Sequence, residues 1–319
     1  MSQRVAKEYG KRIRAIAPRS RLLSPSVAEG ALHWPGDPSD ADVALLSEDM
    51  WLDLDQRRLV LPAMFGLQGV RWFHTFSAGT DAGPFKSMTD RGTVLTNSSG
   101  ASAPSIAQYV LAMMLYWTKP VERWREQQAR REWQQLPAGE LTGRTCGVIG
   151  TGAIGGEVAR LAKAFGMRTI GMRRSAKRTR WIDEQVTPRR LPYLLRESDF
   201  VVLACPLTND TEGLIGEREL RAMKPSATLI NVARGRVCDE PALVCALDEG
   251  WIAAAVLDVF ATEPLPADSP LWTMPNAIVT PHNAGPSPLN MGRVMEIFLD
   301  NLARFAAGRP LRNRVDPGA

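Results

Sequence analysis

Between about residues 145 and 280 the chain alternates short apolar, β-branched runs with longer stretches whose apolar positions recur at helical spacing. Runs at 145–149, 168–172, 200–204, 227–232, 254–259 and 277–280 predict strands. Their alternation with amphipathic segments is the pattern of βα units on a parallel sheet. Helices are expected between them, for example at 154–165, 216–222 and 241–249, with Gly166 and Gly250 stopping the first and last. The pattern is that of a doubly wound α/β domain.

The first hundred residues read as a second, smaller α/β unit with strands at 21–24, 42–47, 70–77 and 93–96. Ahead of them Val5, Tyr9, Ile13 and Ile16 share one helical face, and no strand is expected before that helix. Near the C-terminus, Val294, Ile297, Phe298, Leu302 and Phe305 share a face of another helix, able to pack back on this unit. The expected division is residues 1–97 plus 284–319 as the smaller domain and 98–283 as the larger. An apolar helix at 102–117 and a charged stretch at 119–144 stand between the two units. Trp124 and Trp133 in that stretch read as packing residues of a core or of a subunit contact.

Composition narrows the picture. The longest apolar run, 109–117, is about half of what a bilayer-spanning helix needs, and the mixed-charge N-terminus has no apolar leader. Cys146, Cys205, Cys238 and Cys245 form no C-x-x-C pair, so a cytoplasmic protein with all four as small buried hydrophobes is expected. The net charge of +5 at first suggests nucleic acid, yet no helix-turn-helix, zinc-finger or RNP signature accompanies it. The excess is local: residues 168–190 hold eight Lys and Arg against two acids, leaving the remainder near neutrality.

That basic segment lies beside a motif. The run at 145–149 leads into Gly150-Thr151-Gly152-Ala153-Ile154-Gly155, a G-x-G-x-x-G opening into a predicted helix. The first glycine allows a tight turn, the second lets a pyrophosphate approach the backbone, and the third lets helix pack on strand. The helix N-terminus then holds the phosphates, and with alanine at 153 that contact comes from backbone amides. Gly150, Gly152, Ala153, Ile154 and Gly155 are therefore candidate dinucleotide contacts on a Rossmann unit. An NAD site places Asp or Glu about 20 residues further on, at the end of the second strand. Here that strand ends in Arg173-Arg174-Ser175, and no acidic residue occurs from 158 to 182. Two guanidiniums and a hydroxyl suit a ribose 2′-phosphate, so NADP(H) is the expected preferred cofactor and NAD(H) the permitted one.

Three ionisable residues stand just past the ends of successive predicted strands: Arg234, Glu263 and His282. In an open parallel sheet ligands bind outside those carboxyl ends, which places a guanidinium, a carboxylate and an imidazole at one crevice. Together with Pro206-Leu207-Thr208-Asn209-Asp210-Thr211, Asn231-Val232-Ala233-Arg234-Gly235, Leu257-Asp258-Val259-Phe260, Glu263-Pro264 and Pro281-His282, the chain resembles the D-isomer-specific 2-hydroxyacid dehydrogenases. Ser77-Ala78-Gly79-Thr80-Asp81 brings it nearest to their glyoxylate/hydroxypyruvate reductase branch.

The resemblance implies a two-lobed enzyme with a Rossmann cofactor domain and a smaller flavodoxin-like substrate domain, here lacking that domain's first strand. It implies NAD(P)H-dependent reduction of small 2-oxo acids to D-2-hydroxy acids, with His282 as general acid/base, Glu263 orienting it and Arg234 holding the substrate. It also implies a carboxylate nest at the Ala78 and Gly79 amides, Asp258 near the nicotinamide carboxamide, and Cys205, Pro206, Thr211 and Val232 along the cofactor groove. A homodimer through the cofactor domain, with 119–144 as its contact segment, is expected, and neither nucleic acid nor membrane is an expected partner. The alternative is a dinucleotide-sensing, non-catalytic corepressor-like binding protein on the same scaffold.

Overall fold

The computed structural model describes residues 1–80, 83–175 and 179–315. They divide into two compact units, Met1–Ser102 with the chain from Ser287 onward, and Ala103–Pro286.

The smaller unit opens on α1 (Gln3–Ile16), where the Ser2 hydroxyl accepts from the Val5 amide at 3.2 Å and Val5 and Ile13 are buried. The strand expected at 21–24 does not form. Leu22 packs into the core from irregular chain, and pairing begins instead with a hairpin of β1 (Ser26–Ala28) and β2 (Ala31–His33). Its two turn residues, Glu29 and Gly30, have φ of 51° and 73°, the left-handed geometry that matches a two-residue turn to strand twist. There follow β3 (Val43–Leu46), α2 (Glu48–Leu52), α3 (Leu54–Gly66), β4 (Trp72–Thr75), α4 (Gly83–Asp90) and β5 (Val94–Asn97). The strands make a three-stranded parallel sheet in the order β3-β4-β5. Ala44, Leu46, Phe73 and Leu95 enter one core with α3 and α4, while Leu45 and Trp72 enter another on the opposite face.

The larger unit comprises α5 (Ala103–Thr118), α6 (Val121–Arg130), β6 (Thr145–Ile149), α7 (Ala153–Ala164), β7 (Arg168–Met172), β8 (Glu184–Val186), α8 (Leu191–Glu197), β9 (Phe200–Leu203), α9 (Glu217–Arg221), β10 (Thr228–Asn231), α10 (Glu240–Asp248), β11 (Ala254–Leu257) and β12 (Ala277–Val279). Its seven strands are all parallel, in the order β12-β11-β10-β9-β6-β7-β8. Alternate residues of one strand feed two cores: Val148, Val202, Ile230 and Val256 meet α5 and α7, whereas Ile149, Val201, Leu203, Leu229 and Leu257 meet α8, α9 and α10. The order reverses between β6 and β9, and such switch points open a crevice at the strand ends. Cys146, Cys205 and Cys238 are buried as expected, but Cys245 is exposed, because Leu243, Ala246 and Leu247 take the inward stripe of α10. In the 119–144 stretch Trp133 is fully exposed, which rules out a place in this chain's core. Among the described residues no helix is long and apolar enough to cross a membrane.

The last helix, α11 (Asn290–Ala306), belongs to the smaller unit, where Met295, Phe298 and Leu302 pack with Val5, Ile13, Leu45 and Trp72. Trp72 and Phe298 stack with centroids 5.2 Å apart.

Beside them, His74 on β4 is fully buried in a polar relay. Trp72 Nε1 donates to Thr96 Oγ1 (2.8 Å), and Ser98 Oγ donates to the Thr75 carbonyl (2.8 Å). Ser98 therefore accepts from His74 Nε2 (3.0 Å), and the Thr96 hydroxyl donates to Nδ1 (2.7 Å), an arrangement that satisfies one neutral tautomer. Burial pushes the His74 pKa down to about 4. A folded pKa below the unfolded value means that the unfolded chain binds more protons, so stability is full above about pH 6.5 and lost as pH falls from there towards 4. Urea unfolding should show a loss of about 2 kcal/mol between pH 7 and 5 that His74→Gln, whatever its own stability, does not show.

Candidate active site and cofactor loop

The glycine loop after β6 has the geometry its sequence demands. Gly150 has φ 98°, and a Cβ there would lie 2.5 Å from the Cys205 amide nitrogen. One at Gly155 would lie 2.0 Å from the Gly150 carbonyl oxygen, so helix and strand meet there as only glycine permits. Gly152 is the N-cap of α7, with no side-chain cap and nothing within 4 Å of where its Cβ would be. Amides of a twelve-residue helix thus face open space, which fits the pyrophosphate of a dinucleotide. Ala153 and Ile154 begin that helix.

At the end of β7 the Arg173 amide donates to Val186 of β8 (3.2 Å), and Arg174 and Ser175 are exposed beyond it. β8, absent from the sequence expectation, is what fixes this corner. It was hidden because only Val186 of its three residues is buried. Part of the local basic excess is spent structurally, since Arg168 pairs with Glu184 and Glu197, and Arg190 with Glu184. Arg173 and Arg174 have no side-chain ion pair among the described residues, while Lys177 and Arg178 lie outside them. After β9, the Thr211 hydroxyl donates to the Pro206 carbonyl (2.6 Å) and accepts from the Thr208 amide (2.8 Å), closing the turn next to buried Cys205. Val232 continues β10, its amide bonded to Leu203.

The ionisable trio gathers beyond β10, β11 and β12. Buried Asn231 sets the Arg234 loop: its Nδ2 donates to the Arg234 carbonyl (3.1 Å) and its Oδ1 accepts from the Ala233 amide (3.0 Å). Asn231 went unnoticed in the sequence as a functional support, although its place as the last residue of a buried strand was a signal. His282 Nδ1 and Glu263 Oε2 are 2.8 Å apart, and Glu263 Oε1 accepts from the Phe260 amide (3.1 Å). The Glu263 hydrogen bond, followed by the charges of Glu263 and Asp258, holds the imidazole above its ordinary pKa against burial and Arg234. Burial acts to raise the Glu263 carboxyl, but the His282 and Phe260 hydrogen bonds and the His282 and Arg234 charges together hold it lower than usual. An ionised Glu263 can only accept, so Nδ1 carries a proton and Nε2 is the nitrogen left to exchange one.

Asp258 is almost fully buried at the end of β11. Its Oδ1 accepts from Thr280 Oγ1 (2.6 Å) and the Asn283 amide (2.7 Å), and Oδ2 from the Ala284 amide (3.0 Å). Burial keeps its carboxyl above the usual range despite these donors. Its first duty in this chain is to anchor the loop that carries His282.

Ala78 and Gly79 belong to the smaller unit, in the turn after β4. The carbonyls of Ser77, Ala78 and Gly79 accept from the Ser98 amide, Asn97 Nδ2 and Ser77 Oγ. The Ala78 and Gly79 amides find no acceptor among the described residues. Asp81 lies outside them.

With this geometry in place, comparison with known proteins is informative. Residues 111–284 match the family described as D-isomer specific 2-hydroxyacid dehydrogenase, NAD binding domain. A glyoxylate reductase of Korarchaeum cryptofilum is 39% identical over 249 residues, 76% of this chain and 74% of that protein. Glyoxylate/hydroxypyruvate reductase B of Pectobacterium atrosepticum is 36% identical over 76% of this chain and 78% of its own. Among solved structures, a D-isomer specific 2-hydroxyacid dehydrogenase from Xanthobacter autotrophicus Py2 in complex with NADPH and MES superposes with a TM-score of 0.80 at 29% identity, covering 98% of this chain and 95% of that one. On sequence profile, identity and fold together, the chain belongs to the D-isomer specific 2-hydroxyacid dehydrogenases, in their glyoxylate reductase branch.

Proposed function

We propose that the protein is an NADP(H)-preferring reductase of glyoxylate- or hydroxypyruvate-type 2-oxo acids, forming D-2-hydroxy acids. The observation that carries this reading is the 2.8 Å His282–Glu263 pair, with Arg234 close enough to perturb both pKa values, at the carboxyl ends of a parallel sheet. When bound, the reduced nicotinamide supplies hydride to the carbonyl carbon.

The chain's own residues supply the rest. His282 donates a proton from Nε2 to the carbonyl oxygen as negative charge grows there, and takes it back in the oxidative direction. Glu263 holds the ring in that tautomer and stabilises its cationic form. Arg234 binds the substrate carboxylate and fixes the face presented for reaction. The Ala78 and Gly79 amides are further carboxylate donors, a role supported by the tied-back carbonyls beside them. Gly150, Gly152, Ala153, Ile154 and Gly155 hold the pyrophosphate. Cys205, Pro206, Thr211, Val232 and Asp258 line the groove towards the nicotinamide, and Arg173, Arg174 and Ser175 bind the 2′-phosphate. The NADPH in the Xanthobacter relative supports that cofactor choice. A homodimer that covers Trp133 and Trp124 on the 119–144 segment accounts for their exposure.

The test is a panel of 2-oxo acids assayed with NADPH and NADH in parallel. Arg173→Asp should move the NADPH/NADH ratio of kcat/KM towards NADH by roughly 10- to 100-fold, the worth of one charge-assisted phosphate contact exchanged for repulsion. An unchanged ratio would assign that charge elsewhere.

A further inference from the structure

We propose that Tyr109 is a positioning residue of the reaction centre, acting through Thr280 and Asp258 to fix the loop that carries His282. The inference rests on the reading of His282 as the proton donor and names a part of the machinery outside the strand-end motifs.

The directions of the hydrogen bonds follow from the groups themselves. An ionised Asp258 can only accept, so Thr280 spends its hydroxyl proton on Oδ1 at 2.6 Å. The Thr280 oxygen is then free to accept, and the Tyr109 hydroxyl 2.8 Å away is its donor. Burial pushes Tyr109 up to about 12, so it keeps that proton across the working range. The result is a one-way chain, Tyr109 to Thr280 to Asp258, in which each donation strengthens the next.

Both ends of this chain matter. Tyr109 sits on α5, which is fixed to the sheet by Ala107, Val110, Leu111 and Met114 packed with Val148 and Val256. At the other end, the 280–284 segment has no regular structure. It is held by Thr280 bonding back to Leu257, by the His282 amide on the Asp258 carbonyl (2.9 Å), and by the Asn283 and Ala284 amides on the Asp258 carboxylate. His282 itself has φ 52°, a conformation that its surroundings must impose. The relay transfers the position of a packed helix to a loop that cannot hold itself.

It also reaches the titration of the imidazole. The charged groups that act on His282 are Glu263 and Asp258, which favour the cation, and Arg234, which opposes it; the charged group that acts on Asp258 is His282. Removing the Tyr109 hydroxyl leaves Thr280 a weaker donor, Asp258 less well fixed as an anion, and the imidazolium less supported.

The chain holds only three histidines, so the ring carbon signals of His282 can be followed by NMR in the whole protein. Tyr109→Phe should lower the His282 titration midpoint by about half a pH unit and reduce kcat roughly 3- to 10-fold, the scale of one polarised hydrogen bond. The alkaline limb of kcat/KM should move down in step. Thr280→Val should act in the same direction, Thr280→Ser should restore wild-type behaviour, and Tyr109→Phe added to Thr280→Val should cost nothing more, since Tyr109 acts through Thr280. Titration and pH profile unmoved in Tyr109→Phe, or losses that add in the double variant, would overturn the proposal. If Tyr109→Phe fails to fold, the contrast between Thr280→Val and Thr280→Ser decides the same link. Wild-type protein that reduces no 2-oxo acid would defeat the functional reading, while the NMR midpoints would still report on the relay.

Discussion

His282→Gln is expected to slow 2-oxo acid reduction by roughly 100- to 10,000-fold, the usual worth of a positioned general acid, with the loss in kcat rather than in cofactor affinity. Glutamine keeps a side chain of similar reach but has no proton to exchange near neutrality. The pH dependence follows from the same group. In the proposed mechanism reduction needs the imidazolium, so kcat/KM should be full below the His282 pKa and fall as pH rises through it, while oxidation shows the mirror image. Because the Glu263 hydrogen bond is the largest cause raising that pKa, Glu263→Gln should shift the alkaline limb to lower pH. The raised pKa means that the His282 side of this pair adds stability below about pH 6.5 that fades as pH climbs through the folded value, and the lowered Glu263 pKa means that the carboxyl's share is lost as the solution turns acid. Undiminished turnover in His282→Gln, or an unmoved limb in Glu263→Gln, would remove His282 from its role.

Gly235→Ala should be comparably damaging for a different reason. A Cβ at Gly235 would lie 1.8 Å from the Phe260 carbonyl carbon and 2.1 Å from its oxygen, both backbone atoms that no rotamer change can move. The loop after β10 and the loop after β11 are in van der Waals contact there, one carrying Arg234 and the other the Phe260 amide that holds Glu263. Forcing them apart should cost about 3 kcal/mol or more in stability. It should also lower kcat/KM beyond what partial unfolding explains, assayed at a temperature where the variant stays folded. Gly66→Ala, where a Cβ meets nothing within 4 Å, is the control and should change stability by less than about 1 kcal/mol. Equal behaviour of the two variants would show that the loops can part without consequence.

The contrast between what could and could not be read from sequence has a physical basis. β6, β9, β10 and β11 are buried on both faces, and runs such as Phe200-Val201-Val202-Leu203 announce themselves. The glycine loop, Arg234 and Glu263 stand out because each follows such a run, and His282 because it follows the shorter, half-exposed β12. β8 was not, since its ladder with β7 is made by backbone while two of its three side chains stay half exposed. The pair Leu22-Leu23 resembles a strand but has no strand to pair with, and the real hairpin beside it turns on Glu29-Gly30, a less obvious signal than Asn-Gly. The supports of the site were the hardest to see. Thr280 and Tyr109 act through contacts between segments far apart in the chain, and nothing in their local sequence marks them, whereas Asn231 works within its own loop and is marked only by its place at the end of a buried strand.

The backbone at residue 282 carries one more implication. Glu29 and Arg131, which share its left-handed conformation, close a hairpin and a helix, places where the chain must turn. At His282 the same angle costs about 1 kcal/mol relative to glycine, and an imidazole stands there nonetheless. Under the role proposed for His282, folding and proton transfer call for different residues at this one position. On that role, the main chain at this position gives up stability in favour of proton transfer.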